Sequence, residues 1–326
     1  MNRRAFLTVL SGAALAWPLV LHAQQAGKIL RIGYFTLGPQ PPDLQKTAPW
    51  PTLRQLGYGE GANLVVERRF AAGHRDRLAA FASELVALRP DVILTQGYQA
   101  AAAASNATHD IPIVVMGVGD PIGTGLVASL ARPGGNVTGV TEASTELSAK
   151  RLELLKEAIP AVSRVVVLWN AADRAMTLRM GEIAAAAKTL HVDIEPLGVG
   201  EPEDFDDAFV AMRRNRPDAM FMVTDALTNL NRKRVVEFAA LNRLPAVYEF
   251  REPVVDGGLM SYGPNLRNLF ERAAYFIDRI LKGAKPGDLP MEQPEKVELV
   301  VNLKSAASID LTIPPSILAR ADEVIE

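Results

Sequence analysis

The sequence predicts an α/β protein made of two lobes, each built on a doubly wound, mostly parallel sheet. Short apolar runs alternate with segments of helical periodicity, and this alternation occurs in two successive sets along the chain. Apolar strands without polar alternation are buried on both faces, as in a parallel sheet covered by helices on each side. Two β-α-β-α sets of similar size therefore indicate two lobes.

The first set of elements lies before residue 140. Its strands are predicted at residues 29–35, 64–70, 91–95 and 113–116. The helix over 75–88 follows from apolar residues at helical spacing and from Pro90, which disfavours helix in the residue before it. A short alanine-rich helix over 100–107 separates the last two strands.

The second set follows a seam at residues 133–139, where glycine and asparagine permit a tight turn. Its strands are predicted at residues 164–169, 192–194, 219–223 and 246–248, with helices over 174–190, 203–215 and 231–242. A long helix over 266–282 and a last strand over 297–301 complete the predicted elements.

The first 23 residues are predicted to be a signal peptide. Arg3 and Arg4 precede an apolar run over 6–21 that is short and interrupted for a membrane span, and Ala23 precedes polar residues. The Arg-Arg-x-Phe-Leu order resembles a twin-arginine signal. We expect periplasmic localisation with cleavage near Ala23, and an uncleaved membrane anchor is the alternative. No lipid anchor is expected, because the chain has no cysteine.

Charge and composition argue against several function classes. The formal net charge is −2 and basic residues are scattered, so nucleic acid is not an expected partner. The lack of cysteine and four scattered histidines predict no metal site. There is no Gly-x-Ser-x-Gly elbow or P-loop, and Gly117-Val118-Gly119 lacks the glycine spacing of a dinucleotide fingerprint. We therefore predict no catalytic residues and no cofactor.

Candidate ligand-binding residues follow the predicted strands. In open parallel sheets, ligands bind beyond the carboxyl ends of the strands, where helix N-termini present unpaired N–H groups. In the first lobe these candidates are Phe35, Thr36, Thr95, Gln96, Tyr98, Gly119 and Asp120. In the second lobe they are Asn170, Asp173, Thr224, Asp225, Tyr248 and Glu249.

Several candidates have a structural alternative. Thr95 and Asn170 could cap helices, and Asp120 could fix a turn. Tyr248 could form an apolar wall of the site, or could point into the sheet as a core residue. Asp225 follows a wholly apolar strand, and its carboxylate is favoured as the partner of a ligand ammonium or hydroxyl.

Six stretches spread along the chain carry family motifs. They are 117–121 (GVGDP), 130–139 (LARPGGNVTG), 150–156 (KRLELLK), 257–263 (GGLMSYG), 302–306 (NLKSA) and 313–325 (IPPSILARADEVI). Together they resemble the ABC-transporter substrate-binding family typical of proteobacteria. The resemblance covers nearly the whole chain after the predicted signal peptide.

This resemblance implies a periplasmic-binding-protein fold of the first type, with three chain crossings between the lobes. The first lobe would comprise residues 28–140 plus 257–284, and the second 141–256 plus 285–326. The protein would be the non-enzymatic solute-binding component of an ABC importer. It would bind an amino acid, an aromatic acid or another organic acid between its lobes and deliver it to the membrane permease. Relatives that bind amino acids make Asp225 the expected amine partner.

Other functions stay open at this point. A periplasmic module that reports ligand to a signalling partner would share these features. A Rossmann-like enzyme would need a cofactor motif, and the effector half of a repressor would need DNA-binding helices. We expect a monomer whose partners are a small molecule and an ABC permease.

One stretch departs from the family pattern. Five prolines fall within residues 38–51, where a full first helix would be expected. Proline removes helical hydrogen-bond donors, so this helix must be short or displaced. The loop after the first strand often touches ligand in this fold, and its geometry is left undecided by the sequence.

Overall fold

The computed structural model describes residues 29–326, so the predicted signal peptide lies outside the described residues. The first lobe is built on a smaller sheet. Its strands are β1 (Leu30–Thr36), β2 (Leu64–Phe70), β3 (Val92–Gln96), β4 (Ile113–Met116) and β5 (Val137–Val140). They are all parallel, in the order β2-β1-β3-β4-β5.

The second lobe is built on a larger sheet. Its strands are β6 (Arg164–Asn170), β7 (Asp193–Val199), β8 (Ala219–Met222), β9 (Ala246–Tyr248), β10 (Met260–Pro264), β11 (Val297–Asn302) and β12 (Glu323–Ile325). The order is β12-β11-β10-β9-β8-β6-β7, and the β10–β11 pair is antiparallel. The predicted α/β class with two mainly parallel sheets is confirmed.

Helices cover these sheets. In the first lobe's part of the chain they are α1 (Trp50–Gln55), α2 (Arg77–Ala87) and α3 (Gly97–Ala107). The chain continues with α4 (Ser144–Ala158), α5 (Arg174–Leu190), α6 (Asp204–Asn215), α7 (Ala226–Leu230), α8 (Arg232–Leu241) and α9 (Arg251–Val255). The last are α10 (Leu266–Leu281), α11 (Leu303–Ser308) and α12 (Pro315–Leu318).

The core follows from the sequence patterns. All four residues of β4 and of β8 are buried, because helices cover both faces of each sheet. Helix α10 buries Leu269, Ala273, Phe276, Ile277 and Ile280, whose spacing places them on one helical face. That face packs against β4, β5 and α1. Helix α1 has only six residues, as its prolines require.

The chain crosses between the lobes later than predicted at two of three points. The first crossing follows β5 and leads into α4. The second was predicted at residue 257, but β10 pairs with β9 and β11 in the larger sheet, so the crossing comes at Pro264. The Gly257-Gly258 turn is therefore a turn within the second lobe. Assigning residues 257–264 to the first lobe is wrong.

The third crossing was predicted at residue 285, and this boundary is also wrong. The carbonyl of Leu289 accepts a hydrogen bond from Thr138 Oγ1 at 2.8 Å, and Glu292 forms a parallel bridge with Val140. Residues 285–292 therefore stay on the first lobe, and the chain crosses between Glu292 and β11. The proline- and glycine-rich sequence of this segment is typical of a linker, so its contact with the edge of the sheet was not predicted.

The two lobes contact each other across the cleft. Gln99 Nε2 donates a hydrogen bond to the carbonyl of Ala172 at 3.3 Å. Arg174 Nη2 reaches the carbonyl of Gly123 at 3.4 Å, and His74 lies 4.0 Å from Glu201. The cleft is therefore narrow enough for side chains of one lobe to reach the backbone of the other. Among residues 29–326, no helix has the length and apolar character needed to cross a bilayer.

Candidate functional site

A small cavity of about 50 Å³ lies in the cleft between the lobes. It receives residues from the ends of β3, β6 and β8, and from the helices that follow them. Its polar lining comprises Gln96, Gln99, Glu142, Asp173, Arg179, Thr224, Asp225 and Asn229. Its larger apolar residues are Leu37, Tyr98, Met176, Phe250, Leu266 and Phe270.

Six of the thirteen predicted residues line this cavity: Gln96, Tyr98, Gly119, Asp173, Thr224 and Asp225. They converge because the carboxyl ends of parallel strands meet at one edge of each sheet, and the two edges face each other. Their contact with a ligand stays a prediction.

Two predicted residues belong to the core instead of the site. Phe35 and Tyr248 are both 0% exposed and lie in the same apolar cluster. Each side chain points onto a face of its sheet and under the covering helices, so neither can form a wall of the cleft. Predicting them as ligand contacts is wrong, and for Tyr248 the core alternative holds.

The other five residues support the site from outside the cavity lining. Thr36 and Asp120 accept hydrogen bonds from the N–H groups of Gly38 and Gly123, at 3.1 and 2.8 Å, and so stabilise turns. Thr95 is fully buried. Asn170 and Glu249 are also buried, and they position the residues described next.

Asp173 is the first of two carboxylates at the cavity. It caps the N-terminus of α5 by accepting a hydrogen bond from the N–H of Ala175 at 2.7 Å, and it is only 3% exposed. Burial, and then the nearby charge of Asp225, raise the pKa of Asp173 to about 7. Half of the unliganded molecules would therefore carry a proton here near neutral pH.

Asp225 is the second carboxylate, and it forms a capping box at α7. Its Oδ1 accepts from the N–H of Thr228 at 2.9 Å, while Thr228 Oγ1 accepts from the N–H of Asp225. Its Oδ2 accepts from Asn170 Nδ2 at 2.6 Å. Oδ1 also lies 3.0 Å from Thr228 Oγ1, whereas Oδ2 has a second lone pair with room for a ligand donor.

The opposite wall of the cavity is the N-terminus of α3. Gly97, Tyr98 and Gln99 line the cavity, and no side chain caps this helix. The first N–H groups of a helix have no intrahelical partner, and its dipole places partial positive charge there. The cavity thus has carboxylates on one side and backbone donors on the other.

Three buried polar atoms of residues that line the cavity lack a partner among the described residues. They are Thr224 Oγ1, Gln99 Oε1 and Arg179 Nε. A buried polar atom without a hydrogen bond costs about 1–3 kcal/mol. Such atoms at a cavity wall favour a polar ligand as their partner.

A buried ionic cluster adjoins the cavity, which its members Glu142 and Arg179 also line, and reasoning from the sequence missed it. Glu249 accepts from Arg151 Nη1 at 3.0 Å and from Arg179 Nη1 at 2.7 Å. Arg179 Nη2 donates to Glu142 at 2.8 Å. The cluster's two cations and two carboxylates balance in charge. Arg151 falls within the 150–156 motif, which was a usable signal, whereas Arg179 looks like a surface residue in the sequence.

The cluster also connects the cavity to the crossings between the lobes. Arg151 Nε donates to the carbonyl of Tyr262 at 2.6 Å, close to the second crossing. Its Nη1 donates to the carbonyl of Ser144 at 2.8 Å, just after the first crossing. Burial raises the pKa of Glu142, although Arg179 counteracts that rise. Any movement of the lobes must therefore preserve or rearrange these bonds.

Comparisons with known proteins agree with this architecture. A family model described as ABC transporter substrate binding protein matches residues 50–325. A conserved domain protein from Vibrio cholerae is 26% identical, with a TM-score of 0.84, covering 91% of this chain and all of that one. The ABC domain from Streptococcus pneumonia in complex with L-Trp is 27% identical, with a TM-score of 0.82, covering 90% of this chain and 100% of that chain.

A sequence relative agrees as well. A tyrosine-binding protein of Clostridioides difficile (strain R20291) is 27% identical over 260 residues, which are 79% of this chain and 74% of that relative. The family model spans well over half of the sequence. The chain therefore belongs to the ABC transporter substrate binding protein family, whose members bind small-molecule ligands outside the cytoplasmic membrane and work with an ABC permease.

Proposed function

We propose that the protein binds a small molecule carrying an amino group, such as an amino acid, and delivers it to its ABC permease. The observation that carries this proposal is the pair of carboxylates at the cavity, Asp173 and Asp225. Arg179 lines the same cavity, but its salt bridges go to Glu142 and Glu249, so Asp173 and Asp225 have no salt bridge among the described residues. A ligand ammonium would supply that cation.

The rest of the cavity fits the other parts of an amino acid. The N-terminus of α3 would accept the ligand carboxylate. Leu37, Met176, Phe250 and Phe270 offer apolar contact to a side chain. The relatives described as binding tyrosine and as holding L-Trp support an amino acid with an aromatic side chain. Because the carboxylates and α3 belong to different lobes, such a ligand would stabilise the closed form.

Thermal unfolding tests this proposal directly. Aromatic amino acids added to the purified mature protein should raise its melting temperature, because a ligand that binds only the folded state stabilises it by about 2.7 kcal/mol at a hundredfold excess over Kd. The matched des-amino acids, such as phenylpropionate against phenylalanine, should give little shift. If no amine-bearing solute shifts the transition, the proposal fails.

The affinity for an amine should also depend on pH. An ammonium beside Asp173 favours its ionised form, whereas the pKa of about 7 leaves it half protonated in the free protein near neutrality. Binding at pH 7 should then release about half a proton, and affinity should fall by up to about tenfold per pH unit below pH 7. Calorimetry in two buffers of different ionisation enthalpy measures the proton directly. A Kd that is constant from about pH 5 to pH 8 would contradict a role for Asp173.

A further inference from the structure

A second, larger chamber of about 520 Å³ adjoins the small cavity. The two share Gln96, Ala226, Asn229, Leu266 and Phe270 as lining residues. The outer wall of the chamber is formed by the proline-rich loop, residues 38–48, which departs from the family's sequence pattern. The chamber lies between the lobes, since Tyr34 lines it from the first lobe and Glu252 from the second.

The inner cavity and the chamber differ greatly in size. The inner cavity, at about 50 Å³, is far smaller than ligand pockets, which span about 300–1,000 Å³. It is also about a tenth of the volume of the chamber, measured in the same way, so it suits the small polar head of a ligand. The body of any larger ligand must lie in the chamber, whose volume falls within the ordinary range.

One part of the chamber wall is apolar and aromatic. Tyr34, Trp50 and Phe270 line it, together with Leu44 and Met116. Tyr34 packs edge-on against Trp50 with ring centroids 5.6 Å apart. Flat apolar groups suit such a wall.

Glu252 on α9 is the one carboxylate among the described residues that line the chamber, which also include the cations Lys46, Arg232 and Arg267. Lys46 pairs with Asp43 and Arg267 with Glu271. The Oε2 atom of Glu252 is buried and has no hydrogen-bond partner among the described residues. The nearby cations are engaged elsewhere, because Arg232 pairs with Asp256 at 2.7 Å and Arg251 pairs with Glu323 at 2.6 Å. Burial raises the pKa of Glu252. The last torsion of a glutamate is soft, so either oxygen can turn toward the chamber.

We propose that the cleft takes an elongated ligand whose amine head lies in the inner cavity, whose flat apolar body lies under the proline-rich loop, and whose far end donates a hydrogen bond to Glu252. This inference rests on the proposed function and narrows its ligand class. The class is amines and amino acids with an aromatic body that ends in a hydroxyl or amino group. Glu252 is then the residue that sets specificity at the far end.

Matched ligand pairs test the inference by calorimetry. Tyrosine against phenylalanine, and 5-hydroxytryptophan against tryptophan, differ only in the distal hydroxyl. We expect the hydroxylated member of at least one pair to bind tenfold or more tightly, because a buried acceptor rejects an analogue that leaves it unpaired. Equal affinities within both pairs would overturn the inference. If phenylalanine and tryptophan bind but their hydroxylated counterparts bind no more tightly, the proposed function stands and only the role of Glu252 is wrong.

Variants at Glu252 complete the test. Glu252→Leu should reduce the hydroxyl preference to less than about twofold while phenylalanine affinity changes little, since the apolar body keeps its contacts. Glu252→Gln keeps an acceptor oxygen and the shape of the side chain, so it should retain part of the preference for the hydroxylated ligand. It is the variant to measure if Glu252→Leu does not fold. Glu237→Gln, at an exposed position on α8, is the control and should behave as wild type. A full preference in Glu252→Leu would also overturn the inference.

Discussion

Replacing Arg179 by methionine is expected to destabilise the folded protein by about 3–5 kcal/mol. Arg179 is 1% exposed and bonds to Glu249, Glu142 and the carbonyl of Thr224. Its loss would leave two buried carboxylates with Arg151 as their remaining cation. Although burial alone lowers it, these carboxylates raise the pKa of Arg179 above its usual range, so the cation is firmly held. Urea unfolding followed by circular dichroism measures the change.

The matched control is Arg214→Met, which removes the same charge from an exposed position on α6 and should change stability by less than about 0.5 kcal/mol. A double variant, Arg179→Met with Glu142→Gln, should recover part of the loss, because Glu249 keeps its salt bridge with Arg151 whereas Glu142 has lost its cation. A loss below about 1 kcal/mol in Arg179→Met would show that the cluster is not held together as described.

Replacing Asp173 by asparagine is expected to weaken the binding of an amine ligand by tenfold or more, yet to stabilise the unliganded protein at pH 8. Asparagine keeps the helix cap, because its side-chain oxygen also accepts from the first turn. It removes a buried carboxylate whose ionisation the fold disfavours. Binding loss together with a gain in stability is typical of a residue retained for function.

The size of the stability change depends on pH. The folded state raises the pKa of Asp173 from 3.8 to about 7, so the folded form holds its proton more tightly than the unfolded chain does. This group's contribution is most favourable below about pH 4 and declines as the pH rises toward 7. The asparagine variant should therefore gain about 1–3 kcal/mol over wild type at pH 8 and little near pH 4.

Asp204→Asn is the control for this prediction. Asp204 accepts from the N–H groups of Gly200 and Glu201 at the start of α6, but it is exposed and outside the cavity. Its replacement should leave ligand affinity unchanged and give no gain at pH 8. If Asp173→Asn binds as tightly as wild type, the carboxylate does not hold the ligand ammonium.

The residues that the sequence placed correctly at the cavity share a simple geometry. Asp173, Thr224 and Asp225 follow strands whose apolar runs are readable, and the end of a parallel strand lies at the cleft edge whatever its neighbours are. The predictions of ligand contact for Phe35 and Tyr248 were wrong because these residues still lie inside their strands, Phe35 next to last and Tyr248 last. At such positions the side chain points to a face of the sheet, and only the packed helices show that this face is core.

The class of fold, the family and the loops around the cleft could be predicted from the sequence, because buried strands, helix periodicity and motifs each depend on a short stretch of chain. The ionic cluster, the late crossings and the chamber under the proline-rich loop could be found only in the tertiary structure. Arg151 and Glu249 lie 98 positions apart, and Arg179 and Glu249 lie 70 apart. Contacts over such separations arise from how the sheets bring distant segments together, and no local pattern of residues encodes them.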